Sequence, residues 1–158
     1  MATQLRKELA YDASVDEVQA MLTDRGFREE VLAALRVKRG SVSIDGTRAT
    51  IEQVWSGDSL PSFARKFVGD EIVIVQEETW GTPGHADVRV SIPGKPGDMS
   101  GTSVLEPTSA GGTLETVEMA IKVSIPLVGG KIERLIADML SQALDKEHQT
   151  GVAWLARS

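Results

Sequence analysis

The chain has 158 residues with a formal net charge of −6, 41% hydrophobic and 25% charged residues, and only 4% aromatics. A single domain of that length buries about 68–70% of its unfolded surface without any disulfide or metal staple, and the composition excludes a fully disordered chain. The acidic balance argues against a nucleic-acid surface, and the lack of cysteine excludes disulfides, thiolate metal sites and a cysteine nucleophile.

The first segment, Thr3–Tyr11, alternates. Leu5, Leu9 and Tyr11 share one face with Lys7 as an odd member, which predicts a half-buried strand. Ser14-Val15-Asp16-Glu17 has the form of a capping box, in which serine and glutamate satisfy each other's end of the first turn. Val15, Val18, Met21 and Leu22 give the helix it opens an apolar stripe, Asp24-Arg25-Gly26 breaks it, and a second short helix runs through Phe27, Val31, Leu32 and Leu35. Val42 and Ile44 lead into Asp45-Gly46, the signature of a type I′ hairpin turn. Ala49, Ile51, Gln53 and Trp55 share a face of the return strand.

Leu60–Phe67 reads as a short helix with proline in its first turn. Strands follow over Glu71–Trp80, around Ala86, Val88, Val90 and Ile92, and over Met99–Glu106, separated by glycine- and proline-rich turns. The last strand carries Val117, Met119, Ile121, Val123 and Ile125 inward. Hairpin-length connections imply an antiparallel meander. Beyond Pro126–Gly130, Val128, Ile132, Leu135, Ile136, Met139, Leu140, Ala143 and Leu144 fall on one arc of a long amphipathic helix that continues toward Trp154, with Gly151 weakening its last turn. The expected fold is α+β: one domain over residues 1–158, with a curved antiparallel sheet of six to seven strands wrapped around the C-terminal helix.

This order of elements, the Ser14–Val18 helix start and the Ile125–Glu133 junction between last strand and long helix resemble the START-like, helix-grip superfamily, which includes pollen-allergen-like, polyketide cyclase-like and lipid-transfer proteins. More narrowly, the chain is similar to a branch described only as a domain of unknown function. The resemblance implies a cavity between sheet and long helix that holds an apolar small molecule. The fold alone does not choose among carriers, cyclases, hydrolases and receptors.

Common catalytic signatures are missing from the sequence: no nucleophile elbow, phosphate loop, dinucleotide fingerprint or metalloprotease helix. Gly129-Gly130-Lys131 lacks the upstream glycine of a phosphate loop and reads as the strand-to-helix break. His85 and His148 are far apart and form no metal site, and no cofactor is expected. The weak catalytic candidates are Glu115, Glu147 and His85. Glu147 shares the apolar arc of the long helix, but the helix end is expected to overhang the sheet and leave it wet; if buried, its raised pKa would suit acid–base work. Glu115 shares an inward face with Val117 and Met119 near a hairpin, and His85 sits at a solvated strand start. The expected ligand cavity is formed by Trp55, Phe63, Phe67, Trp80, Val90, Val117, Met119, Ile121, Ile136, Met139, Leu140 and Ala143.

The resulting expectation is a non-catalytic binder or transporter of an apolar, lipid-like or polyketide-like molecule. The alternatives are a cyclase- or hydratase-type enzyme using cavity carboxylates, and a protein-interaction module with a filled core. Arg6, Lys7 and Glu8 interrupt any opening apolar run, and no stretch approaches the roughly 20 apolar residues of a membrane span, so a cytoplasmic location is expected. Arg65 and Lys66 are too few basic residues for stable membrane anchoring. The sequence names no protein partner.

Overall fold

The computed structural model describes residues 2–157. The chain runs β1 (Thr3–Tyr11), α1 (Val15–Leu22), α2 (Arg25–Leu35), β2 (Arg39–Asp45), β3 (Arg48–Ser56), a 3₁₀ turn (Gly57–Ser59), α3 (Ser62–Val68), β4 (Glu71–Thr82), β5 (His85–Ser91), β6 (Asp98–Pro107), β7 (Thr113–Lys122) and α4 (Gly129–Ala156). The seven strands form one antiparallel sheet in the order β1-β7-β6-β5-β4-β3-β2. β1 pairs with β7 from Thr3 opposite Ile121 to Tyr11 opposite Thr113, so α1 and α2 carry the chain from one sheet edge to the other. The fold is the α+β helix grip expected from the sequence, with the long helix laid along the sheet.

Local chemistry sets these elements. Ser14 accepts the Glu17 amide while the Glu17 carboxylate accepts the Ser14 amide, completing the capping box. The Asp24-Arg25-Gly26 break is also a beginning: the Asp24 carboxylate accepts the Phe27 amide at 3.1 Å and caps α2. At the β2–β3 hairpin, Asp45 pairs with Arg48 and only Gly46 has positive φ (59°). That is the pattern of a II′ turn, with glycine at the first central residue, rather than the expected I′ turn. The odd inward Lys7 is explained by α4, where its ammonium reaches Asp145 at 2.8 Å and Ser141 at 2.9 Å.

Helix α4 has 28 residues, about 42 Å of helix. Ile132, Ile136, Ala137, Leu140 and Leu144 pack it onto Val88, Val90, Met99 and the inward residues of β7. Near its start, buried Glu133 accepts the Val123 amide (2.9 Å) and the Thr3 hydroxyl (2.7 Å), tying the helix to both β7's exit and β1. These bonds, the Val123 amide first, hold its carboxyl below the ordinary carboxylate range. Gly151 does not weaken the other end. The helix crosses β1 and α1 there, and a Cβ at Gly151 would stand 2.9 Å from Tyr11 Cε1 and 3.0 Å from Met21 Cε. Gly151→Val should therefore cost about 1–3 kcal/mol through overpacking, read as a lowered urea midpoint with an unchanged m-value.

Candidate functional site

Between sheet and α4 lies a cavity walled by aliphatic side chains. β1 contributes Leu5, β3 Ile51, β5 Val88 and Val90, and β7 Val117 and Met119; α2 contributes Val31, Leu32 and Leu35, and α4 contributes Leu140, Ala143 and Leu144. The polar part of its lining is Arg28, Gln53, Gln76 and Glu147. The centres of water-sized molecules have about 50 Å³ available, within about 580 Å³ of atom-free space that includes the opening to solvent. A wider groove of about 1970 Å³, open solvent included, lies outside it among Trp55, Leu60, Pro61, Leu135 and Met139. Leu35 and Ala143 line both spaces, so the gap between the end of α2 and the middle of α4 separates cavity from groove.

The polar end of the cavity belongs to a buried charged cluster. Arg28 projects from the inward side of α2 among Phe27, Val31 and Leu32 and is 3% exposed. Its Nε donates to the carbonyl of Leu22 at the end of α1 (2.8 Å), satisfying one of the free carbonyls of a helix terminus. Its Nη2 donates to Glu78 Oε1 on β4 (2.6 Å) and its Nη1 to Glu147 Oε1 on α4 (2.9 Å). Gln76 Nε2 donates to Glu78 Oε2 (2.6 Å). On β7, Glu115 Oε2 accepts from the Ser103 hydroxyl at 2.6 Å, while Glu115 Oε1, the Tyr11 hydroxyl and the Trp80 indole nitrogen are buried without a hydrogen-bond partner.

Three buried carboxylates around one guanidinium cannot all be charged without cost. Burial, reinforced by the Glu147 carboxylate, pushes the Glu115 carboxyl up to about 8. Burial likewise pushes Glu147 up to about 7 against the pull of Arg28. Burial and the same carboxylates push the Tyr11 phenol well above its ordinary value, so it stays neutral. For Arg28, burial works against the charge, but Glu78 and Glu147 more than offset it and the guanidinium is held above its ordinary value. The arrangement can hold or release a proton near neutral pH at a group, Glu147, that faces the cavity.

Glu147 is 5% exposed and Glu115 is 3% exposed, which corrects the expectation of a wet Glu147. Leu144, Trp154 and Leu155 pack onto the α1–α2 cluster, so the end of α4 is covered rather than overhanging. His85 lies outside this cluster: it is exposed and sits 3.6 Å from Asp87. Of the residues expected in the cavity, Val90, Val117, Met119, Leu140 and Ala143 line it. Trp55 at the end of β3 and Met139 on α4 face the outer groove, both packed against the cluster of Leu60, Ala64 and Ile72. Phe63 packs with Leu60, Ala64 and Ile72 under α3, Phe67 is half-buried on the same short helix, Trp80 fills the core beside Leu9 and Phe27, and Ile121 and Ile136 are close-packed between sheet and helix. Sequence reading missed Arg28, Glu78 and Gln76 as site residues. The available signal was position: each stands where its element's apolar periodicity calls for a hydrophobe.

A seven-stranded antiparallel sheet gripping a C-terminal helix around a cavity is the START-like, helix-grip fold. Zhui aromatase/cyclase from Streptomyces sp. R1128 shares this fold at a TM-score of 0.69 and 10% identity, over 99% of this chain and 95% of that one. A START superfamily protein from Mycobacterium smegmatis does so at 0.64 and 13%, over 96% and 98%. Within the class, residues 7–155 match the family described as protein of unknown function (DUF2505), and the chain belongs to that family. An uncharacterized protein of Mycobacterium tuberculosis is 30% identical over 164 residues, covering 94% of each chain. No helix among the described residues is long and apolar enough to cross a membrane, and no group of three or more acidic or histidine side chains among them is placed to hold a metal ion.

The cluster makes two measurable statements. Arg28→Met leaves Glu78 and Glu147 buried without their cation and should cost about 3–5 kcal/mol; adding Glu78→Gln and Glu147→Gln should return part of that loss in urea unfolding. Glu115 has a folded pKa above its unfolded one, so between about pH 4.5 and 8 the folded state binds the extra proton and loses stability as pH rises. Glu115→Gln should flatten that part of the thermal-midpoint profile and raise stability above about pH 8, relative to the unaltered protein.

Proposed function

We propose that this protein is a single-domain, cytoplasmic binding module that holds a small, mostly apolar molecule between the sheet and α4, with the polar end of the ligand at Arg28 and Glu147. The observation that carries this reading is the lining itself. Aliphatic side chains from four strands and two helices converge on a space whose polar end is a charged cluster. Removing apolar ligand surface from water there yields about 25 cal/mol per Å². The narrowness of the space favours a slim single-chain or single-ring molecule over a bulky lipid, with loosening of the Leu35–Ala143 gap as the entry step. A small-molecule ligand, rather than nucleic acid or a stably bound membrane, is the partner this design serves.

A second reading is favoured by one observation: Glu147 lines the cavity with its pKa pushed close to neutral and Glu115 titrating beside it. Such a pair suits proton transfer to or from a bound carbonyl compound, and a fold neighbour is an aromatase/cyclase by name. Native mass spectrometry of protein purified without detergent should show a retained small-molecule adduct under the binding reading, and its absence together with no uptake of added apolar probes would reject it. Ala143→Trp, placed at the gap shared by groove and cavity, should lower uptake of an apolar fluorescent probe at least about tenfold while the far-UV spectrum is kept. Turnover of a probe carbonyl compound that disappears in Glu147→Gln would favour the enzyme instead.

A further inference from the structure

The polar groups at the cavity end are not neutral in their preferences. The Arg28 guanidinium looks like an anion receptor, yet three of its five N–H groups, one on each nitrogen, already donate to Leu22, Glu147 and Glu78, and two of those acceptors are carboxylates that share its charge. Gln76 gives one amide N–H to Glu78 and keeps its carbonyl oxygen and its second N–H. Gln53 uses its oxygen to accept from the Trp55 indole and so offers a donor. Around Glu147 stand Arg28 from α2, Glu78 from β4, Glu115 from β7 and Tyr11 from β1, with the His148 ring of α4 tilted against Tyr11 at 5.1 Å and hydrogen-bonded to the Ala10 carbonyl. Three carboxyl groups share one guanidinium, so as Glu147 and Glu115 lose their protons an excess of negative charge builds up at the one end of the cavity where a ligand's polar group would rest.

A ligand carboxylate entering this site would meet a guanidinium whose charge is already shared by Glu78 and Glu147, and would stand beside the Glu147 carboxylate at low dielectric, which is strongly unfavourable. A protonated amine would supply the missing positive charge, and a desolvated ammonium needs such a partner. We propose that the cavity selects small apolar molecules ending in a protonated amine and excludes the corresponding carboxylic acids, with the Glu147 carboxylate receiving the ammonium group. This rests on the binding reading above and adds the chemical class of the ligand. Because Glu147 holds a proton near neutrality in the empty protein, amine binding displaces that proton to solvent, and the amine binds more tightly as pH rises.

The test is calorimetric titration of the full chain with octylamine, octan-1-ol and octanoate at about pH 6 and about pH 9, where the amine stays protonated and the acid ionised. Octylamine should tighten about tenfold across that interval, octan-1-ol should change little, and octanoate at pH 9 should bind at least about tenfold more weakly than the amine. Titrations in two buffers of different ionisation enthalpy should report release of about one proton per amine near pH 6, falling to about half a proton near pH 7. Glu147→Gln should abolish the pH dependence of amine binding; should that variant fail to fold, the proton count on the unaltered protein decides. Octanoate binding as tightly as octylamine at pH 9, or amine binding without proton release, would overturn the inference while leaving the apolar-binding reading in place. Failure of all three probes to bind would remove both.

Discussion

A guanidinium taken out of water needs compensating charge on every side, and that requirement organises the interior of this protein. Arg28 is held by the end of α1, by β4 and by α4 at once, so one side chain fixes how the short helices, the sheet and the long helix sit relative to each other. The cost of burying an ion is several kcal/mol before compensation. Replacing the whole cluster, guanidinium and carboxylates together, by well-packed hydrophobic residues is often neutral or stabilising. What the charge adds is direction: a cavity with one polar end, a titratable group at its wall, and a helix–helix contact beside its opening.

Much of the fold was legible because each element obeys its own period. Thr3–Tyr11 and His85–Ser91 alternate cleanly, Ser14 and Glu17 announce α1, and the arc from Ile132 to Leu144 faces the sheet as its spacing demands. The errors have physical causes too. Asp45-Gly46 carries the dipeptide of one turn type, but the register with Arg48 moves glycine to the first central place of another. Gly151 looked like a helix end because propensity disfavours it, whereas a close crossing with Tyr11 and Met21 requires it.

The site was legible in a subtler way. Arg28, Glu78, Glu115 and Glu147 each interrupt an apolar face: Arg28 precedes Val31 and Leu32 on the α2 stripe, Glu78 lies between Gln76 and Trp80, Glu115 before Val117, and Glu147 beyond Leu144. Taken singly, a charge on an apolar face is most simply solvated at an element's end, and Glu147 was read that way. What periodicity does not supply is the distance between elements, and only that distance turns four exceptions into one cluster. The aromatic residues show the converse. Their size made them natural pocket walls, yet Trp80, Phe63 and the rest fill the core or flank an outer groove, and the cavity is walled by smaller aliphatic side chains.

Helix α4 carries a buried carboxyl group toward each end, Glu133 bonded to the sheet and Glu147 bonded to Arg28, and the two respond to acid in opposite directions. Glu133, bonded by the Val123 amide and the Thr3 hydroxyl, needs its charge, so its anchoring fades as pH falls below the ordinary carboxylate range. Toward the opposite end, Glu147 gives up stability as alkali strips its proton. Acid thus loosens the seam where the helix begins and base loosens it beside the cavity, so these two groups together make the grip firmest in mildly acidic solution.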